Sequence, residues 1–404
     1  MRSTSLLTFF LVAACGDPAP LCTPPAPSKG PWVMRATETA ASIYWESRED
    51  PKGRVTVVLA KESGGAEREI AGTATATFVE HGYGEDLGIK MPDLPGTWYL
   101  YRVDATGLEP GTCYSYRVRG ADEARGRLCT SRAPGEPLRF MAIGDTDPIL
   151  GHTLPVLGHV LPEKPDFVVH MGDVQYYSAI SESWAYWFFA MKPMLRAGAF
   201  YPAVGNHEDE MVGEYRDYYD RLFQKPSLDG DSTAKWYRFR SGGVWFFSID
   251  TEEPYDSGSA QYQWLSQNLQ EAAASPGFRF SVIYMHRNLY TVGDTAPQID
   301  QRMHLLPLLQ AYKVRLVLSG HMHGYERFEV GDITFVTTAG GGGVINDVDK
   351  NVSTYPDDAA LRVKAAAAYH ATLFDVTPMG DLTRLRGRAI DEAGAVVDEF
   401  AHDF

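Results

Sequence analysis

Positive charge is what this chain has least of: 37 Lys and Arg stand against 52 Asp and Glu, a formal net charge of −15. That balance excludes nucleic-acid binding through a broad basic face. Any anionic ligand must therefore be attracted locally, not by the field of the whole molecule. Cysteine is scarce too, at four residues, Cys15, Cys22, Cys113 and Cys129. No serine sits in the pattern of a nucleophile elbow, which argues against that form of serine catalysis. Gly340 to Gly343 is not followed by Lys-Ser/Thr, so it reads as a tight turn after a strand and not as a phosphate cradle. No internal repeat is evident. What remains is ordinary: 404 residues, 44% hydrophobic and 22% charged, predict a soluble globular protein of about two or three domains.

The opening residues predict a compartment. Arg2 is the only early charge, Leu6 to Ala14 is apolar, and Val12-Ala13-Ala14-Cys15 closes the segment. The stretch is too short to span a bilayer and reads as an export signal over residues 1–15. Its ending resembles the lipobox of bacterial lipoproteins, which implies Cys15 as a lipidated mature N-terminus on a periplasmic or cell-surface protein of a bacterium. An ordinary secretory signal with a chance cysteine is the alternative. Residues 16–30 carry Pro18, Pro20, Pro24, Pro25 and Pro27, and are expected to form an extended tether between membrane and domain.

Residues 31–134 show only β signals: Ser42 to Trp45, Val55 to Leu59, Thr73 to Val79, Trp98 to Val103 and Cys113 to Val118, punctuated by Gly and Pro. This spacing predicts an all-β sandwich. Leu108-Glu109-Pro110-Gly111-Thr112-Cys113-Tyr114 resembles the turn into a late strand of fibronectin type III domains, where the tyrosine tethers the corner. Cys113 and Cys129 flank a polar turn near Ala121, so an antiparallel hairpin would set them opposite each other, both pointing outward. Opposed residues have the spacing a disulfide needs, and an exported chain is the right setting. We expect them bridged; Cys22 has no evident partner. His81 stands alone and reads as a solvated loop residue.

After the linker Ala133 to Pro137, strand-like runs alternate with helical stretches at Trp184 to Arg196, Ala260 to Ala274 and Arg302 to Tyr312. That is the signature of an α/β domain, here 137–404. Trp184, Tyr186, Trp187, Phe188 and Phe189 read as helix core. Apolar runs ending at Ile143, Met171, Val204, Met285 and Leu318 each lead into chemistry-bearing residues: Gly144-Asp145, Gly172-Asp173-Val174-Gln175-Tyr176, Gly205-Asn206-His207-Glu208, His286 and Gly320-His321-Met322-His323. Ligands gather beyond the carboxyl ends of strands in α/β folds, so these loops should converge. Their oxygen and imidazole groups are too many for one ion and suit two metals bridged by a carboxylate. Tyr176 as a phenolate ligand favours a trivalent ion, because a phenol ionises near neutrality only beside a strong positive charge.

In this order the motifs resemble those of the calcineurin-like metallophosphoesterases. Tyr176, the run Gly320-His-Met-His-Gly-Tyr-Glu-Arg327 and the preceding fibronectin-like region resemble the purple acid phosphatase branch. The resemblance covers about residues 31 to 400. It implies an α/β metallophosphoesterase domain of two mixed sheets flanked by helices. It also implies one ion, ferric iron, on Asp145, Asp173, Tyr176 and His323. A second ion, zinc, manganese or ferrous iron, would take bridging Asp173 with Asn206, His286 and His321. The implied activity is hydrolysis of a phosphorylated small molecule, a monoester as in acid phosphatases, by a metal-bound hydroxide. His207 would protonate the leaving group or hydrogen-bond the transition state, and Glu208 would orient its neighbours.

This chain departs from the family in two places. Asp147 stands where glycine is common, and Leu289 to Pro297 lacks the histidine pair of plant members. His304 is expected on a helix in a structural role. Arg287, beside His286, is either a donor to an anion or a surface arginine. Phosphodiesterase action on nucleotide or lipid-headgroup diesters is one alternative function. A non-catalytic binding protein with a structural metal centre is another.

Overall fold

Buried strands and half-buried strands have different sequence patterns, and both occur here. Cys113–Val118 alternates, with Tyr114, Tyr116 and Val118 buried and Ser115 exposed, as expected of a strand with one face on a core. Phe167–His170 is buried throughout because layers cover both of its faces. The computed structural model describes residues 29–48, 55–82, 96–225 and 235–404. The proposed signal, Cys15, Cys22 and most of the Pro-rich span lie outside them.

Among the described residues the strands form two mixed sheets, one of 13 strands and one of seven. In the larger sheet Leu138–Ile143, Phe167–His170 and Ala199–Pro202 run parallel to one another. Lys29–Met34 lies parallel to Ala199–Pro202 and pairs on its other side with Ala40–Ser47. That strand takes in Lys29 and Gly30, the end of the span read as a tether. Lys29 Nζ is buried 2.5 Å from Glu46 Oε2, which fixes the strand's start. The long strand Arg68–Glu80 pairs with Val55–Lys61 through its first half and with Gly96–Thr106 through its second. The β-rich N-terminal part thus packs around Ile43, Val57, Leu59, Val103, Tyr116 and Leu128, which are continuous with the core of the following sheets.

Tyr114 Oη accepts the backbone N–H of Glu109 at 2.9 Å, the corner tether expected from the sequence. Cys113 and Cys129 are opposed in register and joined by a disulfide. Their face is not open to solvent, however. Cys129 is buried, and Asp166 lies 3.9 Å from Cys113 Sγ while pairing with Arg132. The hairpin's outer side packs on the next part of the chain, a long-range contact invisible to local periodicity.

In the seven-stranded sheet Val244–Ser248, Phe280–Met285, Val314–Ser319 and Ile333–Thr338 run parallel. Phe140, Phe167, Phe246, Val282 and Leu316 belong to the shared core between the sheets. Helices cover the outer faces, Ile180–Ala190 on the first and Ala260–Ala274 with Ile299–Ala311 on the second. The stretch read as one helix from Trp184 breaks at Met191, and Lys192–Leu195 forms a separate turn with Pro193 in its first positions. Trp184, Trp187 and Phe188 are fully buried. Removing such a tryptophan side chain costs about 3–5 kcal/mol. Trp187 Nε1 also donates to Thr146 Oγ1 at 3.0 Å, tying the helix to the loop that carries Asp145.

Candidate metal centre

The five predicted loops converge beyond the carboxyl ends of their strands. Ligand atoms of Asp145, Asp173 and His323 all lie within 4.8 Å of one another, and so do those of Asp173, His286 and His321. Asp173 belongs to both groups. Tyr176 Oη is 3.2 Å from His323 Nε2, and Asn206 Oδ1 is 3.1 Å from His286 Nε2. All seven residues read from the sequence as ligands are therefore in one place. His207 stands at the edge, its Nε2 3.8 Å from Asp173 Oδ2 and its ring edge-on to Tyr176. Its Nδ1 faces Glu210 Oε2 at 2.9 Å, off-line for a hydrogen bond.

The backbone is strained where these side chains project. Asp145, Asp173 and His321 have φ of 60°, 53° and 67°, a region that costs non-glycine residues of order 1–3 kcal/mol each and clusters at functional sites. Glu208 holds the strain in place. Fully buried, it accepts the backbone N–H groups of Asp173 (2.9 Å), Val174 (2.7 Å) and Gly205 (2.6 Å). The backbone N–H of His321 in turn donates to Asp145 Oδ1 at 3.0 Å. Gly320 must be glycine: a Cβ there would stand 2.7 Å from both Asp145 Oδ2 and Met171 O.

The donor chemistry fits a cation. His286 Nδ1 is 2.8 Å from Met171 O and donates its proton there. Its Nε2 is then crowded by Asp173 Oδ2 at 3.2 Å, Asn206 Oδ1 at 3.1 Å and His321 Nδ1 at 3.1 Å. These are electron-pair donors converging on one point. Burial alone would depress His286, yet the Asp173 charge and contact outweigh it and push the imidazole up to about 10. Burial would likewise raise Asp173, but His286 holds that carboxyl well below its usual range. A proton thus sits where the cluster draws positive charge. Burial, then the charges of His286 and Arg287, lower His321 to about 3 and keep it neutral, the form that ligates. Burial, together with Asp145 and Asp173, pushes the Tyr176 phenol well up, so it ionises only if a cation joins it.

Other residues singled out in the sequence fall outside the cluster. Asp147 is buried with its carboxylate turned to the Tyr177 hydroxyl (2.7 Å) and the Ile149 N–H (3.0 Å). His304 is exposed on its helix, and His81 is exposed as well. Sequence reasoning missed the Gly340 to Gly343 turn as part of the site. Gly343 N–H donates to Asp145 O at 3.0 Å, and a Cβ there would stand 2.7 Å from His323 Cε1. The run of four glycines was the available signal. Asn346, whose Oδ1 accepts the His323 backbone N–H at 2.8 Å, was also missed. A cavity of about 510 Å3 is lined by Arg35, Thr37, Arg102 and Arg240 but by no residue of the cluster.

Two mixed sheets with helices outside, and Asp, Asn, Tyr and His gathered on strand-end loops, define a metallophosphoesterase-type fold and centre. Residues 138–325 match the model of the calcineurin-like phosphoesterase family, and the chain carries a domain of that family. Purple acid phosphatases are among its homologues. A probable inactive purple acid phosphatase 9 of Arabidopsis thaliana is 28% identical over 197 residues, covering 41% of this chain and 30% of that protein. Purple acid phosphatase 15 of the same plant is 24% identical over 265 residues, covering 56% and 49%. The chain thus spans half or less of the length of these relatives. In structure it resembles purple acid phosphatase PPD1 from yellow lupin, Lupinus luteus, with a TM-score of 0.73 and 19% identity over 93% of this chain and 74% of the lupin chain. That likeness shows the shared fold.

Proposed function

We propose that this protein is a two-metal phosphohydrolase that cleaves phosphate monoesters outside the cytoplasm. The observation that carries the reading is Asp173, one carboxylate common to two ligand groups. Asp145, Asp173, Tyr176 and His323 would hold one ion, ferric iron. Asp173, Asn206, His286 and His321 would hold the other, zinc, manganese or ferrous iron. When bound, such a pair supplies Lewis acidity and a water acidic enough to act as nucleophile near neutral pH.

The chain's own residues do the rest. Glu208 and Gly320 fix the ligand loops, so little reorganisation accompanies reaction. His207, a quarter exposed beside Asp173, would hand a proton to the departing alkoxide. Tyr176 supports the ferric assignment, because a phenolate needs a strongly charged ion beside it. Export and anchoring through Cys15 complete the proposal. Among the described residues no helix is long and apolar enough to cross a membrane; Cys15 is the attachment point in this proposal.

The test compares p-nitrophenyl phosphate with bis(p-nitrophenyl) phosphate, with and without chelator. Preferential, chelator-sensitive turnover of the monoester is expected. Diester preference would favour a phosphodiesterase. No turnover of either ester by metal-loaded protein would leave a binding role.

A further inference from the structure

Arg287 follows His286 on the loop leaving Phe280–Met285, and its guanidinium is held in one pose. Nε and Nη2 donate to Glu252 Oε1 and Oε2 at 2.8 and 2.9 Å, the two-point grip that suits a planar guanidinium. Its backbone N–H donates to Thr251 Oγ1 at 3.1 Å, on the same loop as Glu252. The remaining edge faces the ligand cluster, with Nη1 3.2 Å from His321 Nε2.

His321 points its other nitrogen, Nδ1, inward at His286 Nε2, 3.1 Å away. His321 Nε2 can accept from Arg287 Nη1 only while the ring carries its proton on Nδ1. A ring that gives its Nδ1 lone pair to a cation carries its proton on Nε2 instead. Nε2–H and Nη1–H are then two donors facing each other with no acceptor between them. Glu252 is already engaged, so it cannot swing in to satisfy them, and Arg287 cannot turn away without breaking that pair. A phosphoryl oxygen placed against both would.

We propose that Arg287 and His321 together bind a terminal oxygen of the substrate phosphate, and that Glu252 is the positioning residue that aims Arg287. The clamp rests on the two-metal reading above and extends it to substrate class. A monoester has one more terminal oxygen and one more negative charge than a diester, so an added cationic donor beside the metals favours monoesters. In this chain Arg287 supplies a function for which the stretch Leu289 to Pro297 offers no histidine.

The experiment is calorimetric titration of inorganic phosphate into metal-loaded full-length protein, with metal content measured on the same samples. Arg287→Ala should keep both ions and weaken phosphate binding roughly 10- to 100-fold, the loss of one charge-assisted hydrogen bond. Arg287→Lys keeps the charge without the fork and should fall between, which guards against a variant that misfolds. Glu252→Gln should weaken phosphate several-fold while metal content holds, and both Arg287→Ala and Glu252→Gln should lower the monoester-to-diester rate ratio. Phosphate affinity unchanged in Arg287→Ala and Arg287→Lys at full metal content would overturn the clamp alone. Wild-type protein that takes up neither metal nor phosphate would overturn the clamp and the hydrolase reading together.

Discussion

Glu208 Oε2 accepts the backbone N–H of Asp173 at 2.9 Å, so a carboxylate outside the ligand groups sets the backbone of the residue they share. Its two oxygens receive three backbone donors from two loops. Burial, with the Asp173 charge, pushes the Glu208 carboxyl well up, and the Val174 and Gly205 N–H groups work against that.

Glu208→Gln tests this arrangement, because an amide NH2 would face backbone N–H groups with no acceptor between. The expected cost is about 1–3 kcal/mol of stability for buried donors left unmet. Metal affinity should fall as well, since the loop bearing Asp173 is released. Chemical denaturation with metal titration reads both. A variant matching wild type in both would assign Glu208 no such role.

Asp173→Asn should remove both ions, not one. The neutral amide is a poorer ligand to each group, and His286 loses the negative charge that now raises it to about 10. Elemental analysis after extensive dialysis is the measurement. Two ions retained per chain would show that the carboxylate is not shared.

His207→Ala separates proton transfer from metal binding. Its Nε2 lies 3.8 Å from Asp173 Oδ2, beyond hydrogen-bond reach, so metal content should hold while turnover drops by about 10²–10⁴-fold. The loss should be larger for alkyl phosphates than for p-nitrophenyl phosphate, whose leaving group needs little help from an acid. Equal losses on both substrates would remove His207 as the proton donor.

Much of this centre was legible because strand ends are local. An apolar run followed by Gly-Asp, Asn-His or His-x-His can be read without knowing its partners, and Leu138–Ile143 and Phe280–Met285 end at the residues read from the sequence. The Arg287 clamp was not legible. Glu252 lies 35 residues before Arg287 in sequence, and only the parallel pairing of Val244–Ser248 with Phe280–Met285 brings their loops side by side. The buried face of Cys129 was missed for the same reason, since its cover comes from Asp166 and the strands beyond it. The Gly340 to Gly343 turn was seen but underused. Its role depends on Asp145 lying beneath it, a fact of packing and not of spacing.

Glu214 carries the last prediction, because it places an acid against the helix behind the site. Its Oε1 accepts from Gln175 Nε2 and from Trp184 Nε1, and its Oε2 from Met211 N–H at 3.3 Å. Burial dominates and pushes the carboxyl from its ordinary 4.5 up to about 7, against those hydrogen bonds. The folded chain therefore keeps a proton that the unfolded chain releases between these values. Its contribution is full below about 4.5 and is lost as pH rises through about 7. The slope from one such group is at most about 1.4 kcal/mol per pH unit. Glu214→Gln keeps the oxygen that Trp184 and Gln175 use but cannot ionise. In chelator-treated protein, urea unfolding at about pH 5 and about pH 7.5 should show wild type losing more stability than the variant across the interval. Parallel losses in the two proteins would mean that Glu214 ionises normally in the fold and that burial at this position costs nothing.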